Sequence, residues 1–322
     1  MNITVSEPKA HLELTPRDHV VAAMRTTLTH GVATLRERKL AAAAGEIEAI
    51  HQFRVALRRL RAAVELMSGV IHGARLKLYR RELSWLMRAA AESRECDVTG
   101  QVLHARAPKL EPALADALAP VYTDLAARRV RSHQGFVAAL NSRRCELLLG
   151  RLSMPVLRKL PPDAAVCTML PAMTRRIAHA TSRFASKITP QSPPAMFHRM
   201  RVRIKRLRYV LDLMHAFGGK KMRKTAARLA EMQELLGAYN DAVTAGRWLR
   251  TYTEHGMPSA ATLLATGAML HALGKRERKI AARVIKRWKR FDQSGMIRGM
   301  LAELARNAKA LASAPEGAAN AA

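Results

Sequence analysis

The amino-acid sequence predicts an all-α fold, and three observations carry that reading. Ala, Leu, Arg, Met and Glu, which give up little on entering a helix, dominate the chain. No stretch alternates apolar and polar residues with period two, as a half-buried strand would. Gly and Pro fall in clusters between long helix-forming runs.

Taken in order, Thr15 is placed to cap a first helix from Pro16 to Lys39. Pro16 there loses no intrahelical bond, and Asp18 faces the positive end of the helix dipole. A second helix is expected over Glu46 to Val70, a third over Arg75 to Ser93 and a fourth over Pro112 to Ser142. Residues 151–172 hold Pro155, Pro161, Pro162 and Pro171 and form the expected connection between an N-terminal half (1–150) and a C-terminal half (173–312). Helices resume at Met173 to Lys187. Ser192 then caps a helix running from Pro193 to Ala216. Further helices are expected over 221–237, with the pattern continuing to Thr253, then over Ser259–Phe291 and Gly295–Ala312. The stretch from Ser313 reads as a frayed tail.

The chain carries 55 Lys and Arg against 25 Asp and Glu over 322 residues, a net charge of +30. Apolar residues make up 49%, enough to build a core, so the charge is not that of a disordered basic tail. A surface this basic calls for a polyanionic partner: nucleic acid, anionic lipid or a phosphate polymer. Arg outnumbers Lys 40 to 15. The planar guanidinium fork favours phosphate oxygens, although compositional bias raises the same ratio. Cys96, Cys145 and Cys167 have no metal-ligand spacing and are odd in number, so neither a zinc site nor a disulfide framework is expected. Buried thiols in a reducing cytoplasm are the expectation. The first residues show no apolar signal core, and charges interrupt every apolar run, so no spanning helix is expected.

An internal repeat is the most informative feature. HQFRVALRRLRAAVELM, from His51, aligns without gaps with HRMRVRIKRLRYVLDLM, from His198, and eight of seventeen positions are identical. At about 100° per residue, His51, Arg54, Arg58 and Arg61 form one stripe and Phe53, Leu57, Leu60 and Val64 another. His198, Arg201, Lys205 and Arg208 repeat the basic stripe, while Met200, Ile204, Leu207 and Leu211 repeat the apolar one. Arg203 is the exception, at the edge of the second apolar face. Like charges one turn apart destabilise an isolated helix, so a doubled stripe implies a compensating anion or nearby acids. A solvated basic face is the ordinary alternative. Glu95 and Asp241 follow the two histidines at similar distances and are candidates to orient the Arg side chains, the alternative being plain helix-end acids.

HQFRVALRRLR, WLMRAAAESRECDV from Trp85, FHRMRVRIKRLRYVLDLM from Phe197 and LAEMQELLGAYNDAV from Leu229 together resemble the CHAD family, the conserved histidine α-helical domain. The resemblance spans about residues 10–312. It implies two four-helix bundles related by a pseudo-twofold, with a basic groove or channel between them, binding of inorganic polyphosphate, and association with polyphosphate granules in the cytoplasm. Glu95 stands where the family has Asp, and Ala90-Ala91 where Leu-Gly is typical. The acidic motif of the triphosphate-tunnel domain that accompanies many relatives is absent, since Glu46-Ile47-Glu48 is not followed by the required Lys.

The resulting expectation is a non-catalytic polyphosphate binder that needs no cofactor or metal. Its phosphate contacts would come from Arg54, Arg58, Arg61, Arg201, Lys205 and Arg208, with Arg59 and Arg206 at the rim. Arg80, Arg81, Arg88, Lys220, Lys221, Arg223 and Lys224 are further candidates. His51 and His198 are expected to take up a proton when the polyanion binds; a structural hydrogen bond or metal ligation are the alternatives. Weak nonspecific nucleic-acid binding is the rival reading. However, aromatic residues are only 4% and the basic stripes contain few, so stacking on single strands has little support. A phosphate-polymer kinase or phosphatase would need a phosphate loop or clustered metal-binding acids, and neither occurs. The basic run from Leu273 to Arg290 could lie on a membrane surface or pack as an ordinary surface helix through Ile280, Val284 and Trp288. The oligomeric state is left open.

Overall fold

The computed structural model describes residues 17–66, 68–161, 164–214 and 218–313. These form eleven α-helices: α1 Val20–Ala43, α2 Ile47–Leu66, α3 Gly73–His104, α4 Pro112–Asp116, α5 Ala119–Asn141, α6 Arg143–Ser153, α7 Val166–Ala185, α8 Pro194–Leu213, α9 Lys220–His255, α10 Ala260–Gln293 and α11 Met296–Ser313. A short 3-10 turn covers Ala107–Lys109. Among the described residues, extended pairing is limited to the isolated bridges His19–Ala165 and Ile71–Leu157. The fold is all-α.

The duplication shows directly in the helix bounds. An offset of 147 carries both ends of α2 onto both ends of α8, and the start of α3 onto the start of α9. Helices α1, α2, α3, α5 and α6 thus correspond to α7, α8, α9, α10 and α11. The apolar faces of α2 and α8 behave as their spacing requires, with Phe53, Leu57, Leu60, Met200, Ile204 and Leu207 all at 2% exposure or less. The main core runs continuously through both halves, from Val20 and Phe136 to Leu229 and Leu304. A smaller core joins Cys96, Leu103, Val121 and Leu125 to Trp248, Leu249 and Met269. The halves therefore share a core, and α2 packs on α8 while α3 packs on α9.

Several elements differ from the sequence reading. The described part of α1 begins at Val20; the expected cap Thr15 and Pro16 lie outside the described residues. Residues just before it are engaged elsewhere. Val20 N–H donates to the Ala164 carbonyl at 2.9 Å, and Val166 N–H donates to Asp18 at 3.0 Å. His19 takes over as cap, its Nδ1 accepting from the Val21 N–H at 3.3 Å. The same pairing lets α7 begin at Val166 instead of Met173, which places Pro171 inside the helix. Burial of Val166, Cys167 and Leu170 offsets the backbone bond that Pro171 cannot donate. The expected helix over 112–142 is interrupted after Asp116, because Pro120, in the first turn of α5, cannot donate back to it. α6 was not expected; Ser142 Oγ caps it by accepting from the Cys145 N–H at 3.2 Å. α3 runs past its expected end at Ser93, burying Asp97, Thr99 and Leu103, while α9 continues to His255, close to the Thr253 its pattern allowed, burying Trp248 and Leu249. The expected tail lies outside the described residues, apart from Ser313, which ends α11.

The α1–α2 turn needs a left-handed residue, supplied by Gly45 at φ 90°. α5 clamps that turn: Arg129 donates to the Gly45 carbonyl at 3.1 Å and His133 Nε2 bonds the Ala43 carbonyl at 3.0 Å.

Candidate functional site

The two basic stripes meet. Burial of α2 and α8 on their apolar faces turns Arg54, Arg58, Arg201 and Lys205 toward one another across the contact of the two helices, with α3 and α9 alongside. Arg54 donates to the Ala90 carbonyl of α3 at 2.6 Å, which fixes its guanidinium against α3. Arg58 Nε donates to Tyr209 Oη of α8 at 3.2 Å, a direct link between the halves. Arg208 stacks its guanidinium 5.4 Å from the centre of the Tyr209 ring. His198 Nδ1 is hydrogen-bonded to Asn240 Oδ1 of α9 at 2.9 Å, so this histidine is anchored from behind.

The cluster is electrostatically strained. Burial pushes Lys205 down to about 6, and the nearby charges of Arg201, Arg58, Arg54 and Arg208 push the same way. Burial also brings Arg54 down to about 10, helped by Arg58 and opposed by Glu95. Arg201 and Arg61 are lowered too, each mainly by burial. Asp241 lies within the influence of Arg201, Arg94 and Lys205, yet burial outweighs their attraction and raises its pKa. Asp241 and the exposed Glu95 do not balance this many cations. Two donors, Arg201 Nε and Arg208 Nε, are buried with no hydrogen-bond acceptor among the described residues.

Other residues singled out from the sequence sit differently. Arg88 of α3 lies close enough to Arg61 for its charge to lower the Arg61 pKa further. Arg88 also lines a neighbouring cleft of about 690 Å³ with Arg128, Arg131, Trp248 and Tyr252. Arg80 is held bidentately by Glu65, at 2.8 and 2.6 Å, and Arg206 reaches the same carboxylate at 3.5 Å. These two bridge α2, α3 and α8 at the groove's end. Arg59 is exposed on the outer side of α2. Arg81 is bound at 2.6 Å to buried Glu82, which Arg144 also holds, on the side of α3 facing α6. Lys220, Lys221, Arg223 and Lys224 lie at the start of α9, where Glu303 of α11 accepts from the Lys221 and Met222 amides. They are not part of the groove cluster. Glu95 is exposed and acts on Arg54 through its charge, whereas its near neighbour Asp97 is buried and bound by Arg129 at 2.6 Å. His51 is half-buried on the same face of α2.

Four groove residues were not singled out from the sequence. Tyr209 stands where the first copy has Ala62, so the alignment hid its role as a bridge. Arg94 neighbours Asp241, and Arg276 feels the opposing charges of Arg106 and Asp241. None of the last three belongs to the repeated stripe. Among the described residues, no His, Cys, Asp and Glu cluster suits a metal, and no helix is long and apolar enough to cross a membrane. The three cysteines are unpaired and buried, and burial raises the thiols of Cys96 and Cys145, which disfavours thiolate chemistry.

The model of the CHAD domain family matches residues 26–250. Among solved structures, the crystal structure of the CHAD domain from the plant Ricinus communis is similar, with a TM-score of 0.70 and 23% identity. The match covers 85% of this chain and 94% of that one. PptA from Streptomyces chartreusis is also similar, with a TM-score of 0.67 and 18% identity over 86% of this chain and 100% of that one. At these identities the likeness speaks for the fold. No curated protein matches the sequence significantly.

Proposed function

This chain belongs to the CHAD domain family, and from that premise we propose that it binds inorganic polyphosphate in the groove between α2 and α8. The observation that carries the reading is the uncompensated cluster of Arg54, Arg58, Arg201, Lys205 and Arg208, with two buried guanidinium donors lacking acceptors. A linear chain of phosphates supplies closely spaced non-bridging oxygens and one negative charge per unit. That pattern answers both the charge and the missing acceptors. A single small anion would neutralise only part of it.

The role is binding without turnover, and attachment to polyphosphate granules follows from it. Arg58, Arg201, Arg208 and Arg54 act as phosphate contacts, Asp241 and Asn240 hold Arg201 and His198 in place, and Arg61 with Arg88 extends the path. Lys205 is the group whose proton affinity is set to change. A bound polyanion reverses the sign of its surroundings and returns its proton, so binding near neutral pH takes up protons from solution. Calorimetry in buffers of different ionisation enthalpy reads this uptake; a heat independent of buffer contradicts it. Incubation with polyphosphate and Mg²⁺ should release no phosphate, and steady release would establish an enzyme. At physiological salt, polyphosphate should displace bound DNA.

A further inference from the structure

The long helix α10 has a second basic surface that the groove does not use. Its inner face, with Ile280, Val284, Trp288 and Phe291, is buried at 6% exposure or less. At about 100° per residue, Lys275, Arg278, Lys279, Arg283, Lys286 and Lys289 fall on the opposite side within one arc of about 140°. All six are exposed, and no Asp or Glu of α10 enters that arc. Arg287, at its edge, is paired with Glu231 at 3.3 Å. Toward the N-terminus of the helix, the same arc turns neutral and apolar. Beyond His271 it holds Ala260, Ala261 and Ala268, and Leu264 at 68% exposure; Met257 in the preceding turn is fully exposed.

The duplication accounts for only part of this ridge. At the offset of 147, Lys275 and Arg278 match Arg128 and Arg131, but the places of Lys279, Arg283, Lys286 and Lys289 are taken by Ser132, Phe136, Ala139 and Ser142. Like charges one turn apart, such as Lys275 with Lys279 and Lys279 with Arg283, weaken a helix; Glu277, half-buried outside the arc, attracts Arg278 and Arg250 from the flank. A nucleic-acid backbone would satisfy the cations but offers nothing to Leu264 and Met257. A bilayer surface satisfies both, since headgroup phosphates lie directly above an apolar layer. The buried inner face prevents α10 from rolling over to insert as a free amphipathic helix.

We infer that the outward face of α10 docks on an anionic phospholipid surface, with Met257 and Leu264 entering the interface and the Lys/Arg ridge lying over the headgroups. This surface is separate from the groove, so it stands or falls independently of polyphosphate binding. Sedimentation of the full chain with phosphatidylcholine vesicles containing a quarter phosphatidylglycerol tests it. The chain should bind these vesicles and not pure phosphatidylcholine ones. Each ridge cation removed should weaken partitioning about fivefold, so the combined variant Lys275→Gln, Lys279→Gln, Lys286→Gln loses about a hundredfold. A variant of equal net charge, with Arg175, Arg183 and Lys187 changed to Gln, should lose far less. Leu264→Ser with Met257→Ser should weaken binding even at raised salt, where screening leaves the apolar contribution. Equal losses from the ridge variant and its charge-matched control would overturn the inference, as would binding indifferent to Leu264 and Met257. Retention of vesicle binding by the ridge variant, with loss of duplex DNA binding, would assign the surface to nucleic acid instead.

Discussion

Replacing Lys205 with Met measures the strain stored in the groove. Met fills a similar volume and removes the ammonium alone. In the unfolded chain a lysine holds its proton with a pKa near 10.4, whereas in the groove the value falls to about 6. At pH 7 folding therefore strips a proton that the unfolded chain would keep, at a cost of about 5 kcal/mol, from about 1.4 kcal/mol per unit over some 3.5 units. Rearrangement of the neighbouring Arg side chains recovers part of this, leaving an expected gain of about 2–4 kcal/mol for Lys205→Met. The sign with pH follows from linkage. Between about pH 6 and pH 10 the unfolded state binds more protons, so the parent gains stability as pH rises, by up to about 1.4 kcal/mol per unit. The variant lacks that slope, and its advantage shrinks toward alkaline pH. Urea unfolding followed by circular dichroism at pH 7 and pH 9 reads both quantities. Equal midpoints for parent and variant at both pH values would show Lys205 to be solvated and the groove to be unstrained.

Arg54→Gln with Arg201→Gln should weaken polyphosphate binding at least tenfold and reduce the log–log salt slope by about 1.4, two contacts at about 0.7 each; titration at several salt concentrations checks it, and an unchanged slope would remove these residues from the contact. Asp241→Asn removes the carboxylate nearest Arg201 and Arg94. It should tighten polyphosphate binding while lowering the melting temperature, measured by calorimetry with and without ligand. Glu82→Gln breaks the buried bridge to Arg81 and Arg144. It should cost about 1–3 kcal/mol near neutral pH and leave polyphosphate affinity unchanged. Hydrogen bonding and the charge of Arg144 hold the Glu82 pKa below the usual carboxylate value. The stabilisation is therefore present above that value, and the parent should lose it as pH falls through the lowered one. Leu57→Ala, at a fully buried core position, should cost about 2–5 kcal/mol by urea unfolding.

Much of the groove was legible because the repeat fixes both register and face. Eight identities at one offset place two helices, and the apolar positions of each dictate which side turns inward. Arg54, Arg58, Arg201 and Lys205 follow from that alone. Their convergence was not legible from spacing, since it depends on how α2 crosses α8, and the link from Arg58 to Tyr209 exists in only one copy. Arg80 and Arg206 looked like free cations because Glu65 reaches them from across the helix packing. The start of α1 and of α7 was misplaced for a related reason: each is set by hydrogen bonds between residues about 145 apart, which no local signal announces. α3 outran its expected end because a second core formed around the far ends of α3 and α9. The expected proton switch was assigned to His51 and His198, the residue type that titrates near neutral pH in water. Burial among four Arg residues also brings Lys205 into that range, which residue type alone does not announce.

The central claim is that a phosphate chain lies between α2 and α8, and the structure of the complex tests it most directly. Crystals grown with a polyphosphate of a few tens of units should show a string of tetrahedral density along that crossing, its oxygens within hydrogen-bond distance of Arg58, Arg201 and Lys205. Density confined to another face, with these three side chains unmoved and in contact with solvent alone, would contradict it.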